Sequence, residues 1–169
     1  LSRGWYAPAQ QHTAAKDKKW MGTLPDRILF TQAGLRYAIV HGAASDVAKF
    51  IWPVTPDADI SDELTLLERQ VGPVDRVIAG HTGIPMHKVI GKHHWHNTGA
   101  IGMPPHDGNP NGCYSLLSNG KITQHRLEYV TTQTIEAMQN AGLTQGYHLS
   151  LTTGYMPSED TFPPEMRRA

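Results

Sequence analysis

The chain has 169 residues, with 15 Lys and Arg against 15 Asp and Glu, and a single cysteine, Cys113. Balanced charge excludes the electrostatic footprint of a nucleic-acid binder or of a protein held on an anionic membrane. No apolar run approaches the roughly 18 residues of a membrane span. One cysteine rules out an intrachain disulfide framework and points to a reducing, cytoplasmic setting.

The length fits one domain with a real core. Leu1 to Tyr6 lack the apolar segment of a signal peptide. A start without Met points to a processed chain or a fragment. Residues 1–23 are polar and show no clean period, although Asp17-Lys18-Lys19 beside Trp20 could belong to a helix. Arg27 to Gln32 and Leu35 to Val40 read as two strands around Ala33-Gly34, a hairpin whose glycine supplies positive φ. Ser45 or Asp46 could cap a short helical turn through Phe50-Ile51-Trp52, stopped by Pro53 and Pro56. Ser61 is expected to cap a helix from Asp62 to Val71. Leu64, Leu67 and Val71 form its apolar stripe and Gly72 its stop.

Val74 to Gly80 then reads as a strand. Strand, helix and strand in succession predict parallel neighbours joined by a crossover helix. Met86 to Ile90 and His93 to Asn97 are further strands around Gly91-Lys92. Met103 to Gly112 is an irregular loop. Cys113 to Leu117 and Lys121 to Tyr129 form a closing hairpin around a three-residue turn, Ser118-Asn119-Gly120. Thr132 caps a last helix with Ile135 and Met138 inward, ending at Gly142, and a proline-marked tail wraps the surface. The organisation is therefore an amino-terminal segment over 1–23, a central body over 24–130 and a helix with tail over 131–169.

Ten histidines are many for this length, and histidine is the commonest metal ligand. Two strands each end on one, Val40-His41-Gly42 and Gly80-His81-Thr82. Parallel neighbours bring both to the carboxyl edge of the sheet, where open α/β sheets bind ligands. His41 and His81 thus read as two ligands of one metal site, and the plain alternative is two polar strand ends bonded to loops. His94 and His96 lie two apart on a strand and share a face, with Trp95 on the other. They could add a metal ligand or simply line a wet face. His106, in a Gly- and Pro-rich loop, could overhang the site as a general acid. Asn97 is expected to fix its loop by hydrogen bonds, and Cys113 to be buried and inert.

The ordered set Val40-His41-Gly42, Ala79-Gly80-His81-Thr82 and Trp95-His96-Asn97-Thr98-Gly99-Ala100 resembles the carboxyl-terminal half of the calcineurin-like metallophosphoesterases, of the bacterial single-domain kind. The resemblance implies an α/β fold, a β-sandwich flanked by helices, of which this chain holds the carboxyl-terminal half. It implies a dinuclear site of divalent Mn, Fe, Ni or Zn in which His41 and His81 hold the second metal. The activity implied is hydrolysis of phosphate mono- or diesters by metal-activated water.

Two departures stand out. Gly83 occupies the place of a family histidine that ligates the first metal, a place His94 or His96 could take over. The amino-terminal motifs Asp-x-His, Gly-Asp-x-x-Asp and Gly-Asn-His are absent. The simplest account is a chain whose amino-terminal half is missing, cut away or present as another chain. Its ligands would then be a small phosphate ester and that partner. The rival readings are a non-catalytic fragment that binds a partner through an open sheet edge, and a different metal-binding sandwich centred on His94 and His96.

Overall fold

A computed structural model describes residues 2–142 and 145–168. Leu1, Leu143, Thr144 and Ala169 lie outside the described residues, and with them part of the tail. Two helices, α1 (Ser2–His12) and α2 (Ala15–Met21), come first. Strands β1 (Arg27–Gln32) and β2 (Leu35–Val40) follow as the expected hairpin. Ala33 at φ 52 and Gly34 at φ 75 are both left-handed, as a two-residue turn that matches strand twist requires.

Helix α3 (Asp57–Val71) crosses from β2 to β3 (Arg76–Ala79), and the two strands pair in parallel, Tyr37 with Arg76 through Ile39 with Ile78. Strands β4 (Met86–Ile90) and β5 (His93–Asn97) form a hairpin whose second strand slots in parallel beside β3. The sheet order is β1-β2-β3-β5-β4. Alternation along the strands then decides the faces. Ala38, Val40, Val77, Ala79 and Trp95 turn to α3 and meet Ile60, Leu64 and Leu67 in the main core. Each of those leucines, fully withdrawn from water, contributes about 1.5–3 kcal/mol.

Over the opposite face lies a two-stranded hairpin, β6 (Gly112–Ser118) and β7 (Lys121–Leu127). It is tied down by hydrogen bonds from Tyr37 Oη to the Gly120 carbonyl (3.3 Å) and between His96 Nε2 and Ser115 Oγ (2.9 Å). Among the described residues this hairpin is the whole second layer. The fold is mixed α/β with one five-stranded sheet, not a two-sheet sandwich complete in itself.

Several expectations need correction. Helix α3 begins at Asp57, after Pro56, rather than behind a Ser61 cap. Asp57 and Asp59 sit in its first turn, where acidic side chains complement the helix dipole. No helical turn runs from Ser45 to Trp52. The Ala43 and Lys49 amides donate to the Asp46 carbonyl instead, folding a compact loop. The closing hairpin turns on two residues, Asn119 (φ 49) and Gly120 (φ 76), with Ser118 paired to Lys121. Helix α4 (Thr132–Asn140) half-buries Ile135 and Met138, but no side chain caps it.

The tail is structural. It carries α5 (Tyr147–Thr153) and a short 3-10 turn (Pro164–Met166). Its Met156 and Phe162 join Trp52 and Ile84 in a second small core. Among the described residues no helix is long and apolar enough to cross a membrane.

Trp95 is fully buried, and among the described residues its indole N–H has no hydrogen-bond partner. Trp95→Ala is therefore expected to lower unfolding free energy in urea by about 3–5 kcal/mol. Trp95→Phe, which removes the unpartnered N–H and keeps most of the ring, should cost well under half of that.

Candidate metal centre

Both histidines are placed by main-chain pairing. One residue past the end of β2 and two past the end of β3, the register continues as a hydrogen bond from the Gly80 amide to the His41 carbonyl (2.9 Å). His81 then takes φ 63, a left-handed conformation uncommon in residues with a Cβ. The consequence is convergence, with His81 Nδ1 lying 3.2 Å from His41 Nε2. The rings meet edge to face with centroids 5.0 Å apart.

Asn97 holds the turn that carries His81. Its side-chain amide donates to the Gly80 carbonyl (2.5 Å) and to Thr82 Oγ1 (2.9 Å), and its carbonyl oxygen accepts from the Gly99 amide (3.0 Å). With 1 % of its surface exposed, it is a structural clamp, as expected. Gly42 serves the other histidine. A Cβ there would lie 2.6 Å from the Val47 and Lys49 carbonyls, so only glycine lets the 42–49 loop close behind His41.

Glu63 ties that loop to α3. It is 3 % exposed and accepts from the Ser45 amide (2.9 Å), Ser45 Oγ (2.7 Å) and Lys49 Nζ (2.6 Å). Burial alone would raise its carboxyl pKa, but the hydrogen bonds from Lys49 and Ser45 outweigh it and hold the group below the usual range. His41 is exposed and His81 half-buried. Burial, then the neighbouring His41, push the His81 pKa down, against smaller opposing effects of the Ala48 backbone and Asp46. A neutral His81 keeps a ring lone pair free for a cation at neutral pH.

From His81 an unbroken series of ring contacts leads away from the pair. Phe50 lies 4.4 Å from His81, Trp52 stacks on Phe50 at 5.0 Å, and Phe162 tilts against Trp52 at 5.0 Å. The last member is His106, 4.6 Å from Phe162. The structure therefore does not bring His106 to the histidine pair. Its Nδ1 accepts from the Met156 amide (2.9 Å) and its Nε2 lies 3.1 Å from Glu159. Burial lowers its pKa against the opposing pull of Glu159. In this setting His106 anchors the tail.

His94 and His96 are not at the pair either. In the β3–β5 register His94 stands opposite Arg76 and His96 opposite Ile78, before the strand end that carries His81. They gather with His87, whose Nε2 is 2.9 Å from His94 Nδ1. Gly83, at φ 70, has Met103 and Met156 methyl groups 3.3 and 3.4 Å from a would-be Cβ. A histidine there would meet both strain and crowding. Cys113 is buried, and burial raises its thiol pKa, which leaves it inert.

Two imidazole nitrogens about 2.0–2.1 Å from one tetrahedral ion sit ~3.3 Å apart, so the observed 3.2 Å suits two ligands of a single ion. Among the described residues no group of three or more His, Cys, Asp or Glu side chains could hold a metal. The pair fits one edge of an ion's coordination shell and does not fit a complete dinuclear centre.

Because the folded Glu63 pKa is depressed, its stabilisation is present above the unfolded value near 4.5 and is lost as pH falls below it. Glu63→Gln should lower the melting temperature at pH 7 by several degrees, reflecting about 1–3 kcal/mol. It should also flatten the acid side of the stability profile, read by thermal denaturation between pH 7 and 3.

No family model matches the chain, and no curated protein matches it in sequence. Solved structures do. A metallophosphoesterase from Sphaerobacter thermophilus superposes with a TM-score of 0.71 at 20% identity, covering 85% of this chain and 63% of its own. A hypothetical protein from Pyrococcus horikoshii superposes with a TM-score of 0.67 at 14% identity, covering 82% and 54%. The chain thus spans 63% and 54% of the lengths of these two structures. At such identities the likeness is one of fold: most of the chain is built like part of a metallophosphoesterase.

Proposed function

We propose that this chain contributes to a metal-dependent phosphoesterase, with His41 and His81 as two ligands of one divalent ion. The observation that carries the reading is the 3.2 Å approach of the two ring nitrogens at the carboxyl ends of parallel strands. The metallophosphoesterase-like fold supports it independently. Bound divalent ions such as Mn, Fe, Ni or Zn would polarise phosphoryl oxygens and acidify a water for attack on a phosphate mono- or diester. The remaining ligands, including any bridging carboxylate, come from a further polypeptide segment, of the same protein or of a partner chain.

Each neighbour has a definite part. Asn97 and the Gly80 main chain fix the His81 turn, and Gly42 with Glu63 fixes the loop behind His41. Phe50 covers one side of His81 and also borders a groove of about 520 Å³ with Lys49, Val54 and Pro163. That groove, which Asp59 and Glu165 also line, is where the organic part of an ester would lie.

A second reading rests on the incomplete donor set. A two-histidine site lacks the three or more protein ligands usual in catalytic metal centres, and fits a degenerate member that binds a partner.

Metal content after loading with Mn²⁺, and hydrolysis of an aryl phosphodiester, separate the two readings. The hydrolase reading expects His81→Ala to lose bound metal and to lower the rate by about 100-fold or more. Equal metal and equal rate in the variant would remove His81 from the site. Metal bound through His41 and His81 without hydrolysis would favour the partner-binding reading.

A further inference from the structure

The sheet face away from α3 carries a second cluster that the histidine pair does not use. Toward the amino-terminal ends of β3 and β5, Arg76, His87, His94 and His96 line a cavity of about 410 Å³ closed on one side by Lys121 and Ile122 of the β6–β7 hairpin. Register explains the gathering. Arg76 stands opposite His94 on the neighbouring strand, and His96 opposite His87 on the next.

Arg76 is the unusual member. Its Nε and Nη1 are buried, and among the described residues neither has a hydrogen-bond partner. A guanidinium stays charged at any accessible pH, and withdrawing two nitrogens of this half-buried side chain from water without a counter-charge is unfavourable. Among the described residues no Asp or Glu lines the cavity. The nearest acidic neighbour in sequence, Asp75, is occupied, accepting from the Arg36 amide at 2.8 Å. Lys121 adds a second basic side chain from the hairpin wall. The His87–His94 contact of 2.9 Å and the His96–Ser115 contact of 2.9 Å supply further polar groups at the rim. Such a cavity is complementary to an anion, and a planar guanidinium suits a phosphate, which it can grip with two parallel hydrogen bonds.

Size narrows the class. The volume falls in the range of small-molecule pockets rather than of a bare ion site. Ile122 offers an apolar wall opposite the charged one. We propose that this cavity is a binding site for a small phosphomonoester, its phosphate held by Arg76 and Lys121 and its organic part against the hairpin. The site is separate from the histidine pair and does not depend on the hydrolase reading.

Isothermal titration calorimetry on the whole protein tests this, with glycerol 3-phosphate, inorganic phosphate and glycerol as probes. Glycerol 3-phosphate should bind more tightly than inorganic phosphate, and glycerol should give no heat. Arg76→Gln should weaken binding by about tenfold or more. Lys121→Gln alters an exposed residue at the start of β7 without disturbing the core, and should weaken binding several-fold. His41→Ala should leave it unchanged. Absence of phosphate binding, as expected if an acidic side chain of another polypeptide fills the cavity, would overturn the proposal. So would undiminished affinity in Lys121→Gln and Arg76→Gln together, or loss of binding confined to His41→Ala.

Discussion

The parallel pairing of β2 with β3 is the constraint on which the site depends. A crossover helix makes the two strands run the same way, so whatever follows each strand emerges at the same edge. Here both strands are followed by histidine, and the Gly80 amide bonded to the His41 carbonyl carries the pairing past the strand ends. Two residues forty positions apart are thereby held with ring nitrogens 3.2 Å apart. A single contact between an exposed His41 and a half-buried His81 is worth little in net free energy, so the main chain sets their approach.

Around this frame the molecule spends buried polar groups where the backbone cannot pair with itself. Asn97 satisfies two groups of the turn after β3 and the Gly99 amide after β5, and Glu63 accepts from three groups of the loop after β2. Both are almost fully buried, so removing either would strand several partners at once. The left-handed backbone at His81 is tolerated because this surrounding network over-determines it. On the flank away from His41, the series Phe50, Trp52 and Phe162 couples the pair to the tail and to His106.

Much of this was legible in the sequence, for identifiable reasons. The strands over 27–32, 35–40, 86–90 and 93–97 flank the turn dipeptides Ala33-Gly34 and Gly91-Lys92, so their limits coincide with those observed. The helix before β3 was legible in its apolar stripe but not at its start, since Asp57 and Asp59 resemble loop residues until the dipole is considered. Helix α1 left no periodic trace. His41 and His81 could be brought together on topology alone. His106 could not be placed, because its partners Met156, Glu159 and Phe162 lie some fifty residues on, in a tail without a periodic signal. Nor could the cationic cavity be seen, since it depends on β5 inserting between β3 and β4 and on where the hairpin settles. Of the sandwich that the resemblance implies, these residues build one five-stranded sheet with a two-stranded hairpin over its other face.

The two ends of the sheet thus differ in chemistry: two imidazoles converge at the carboxyl edge, and Arg76 and Lys121 gather toward the other. Only the first bears on metal. A crystal structure of the protein loaded with Mn²⁺, with anomalous scattering recorded at the manganese edge, tests the convergence most directly. The account predicts an anomalous peak bonded to both His41 Nε2 and His81 Nδ1. Imidazoles turned apart, or manganese bound elsewhere with none between them, would contradict it.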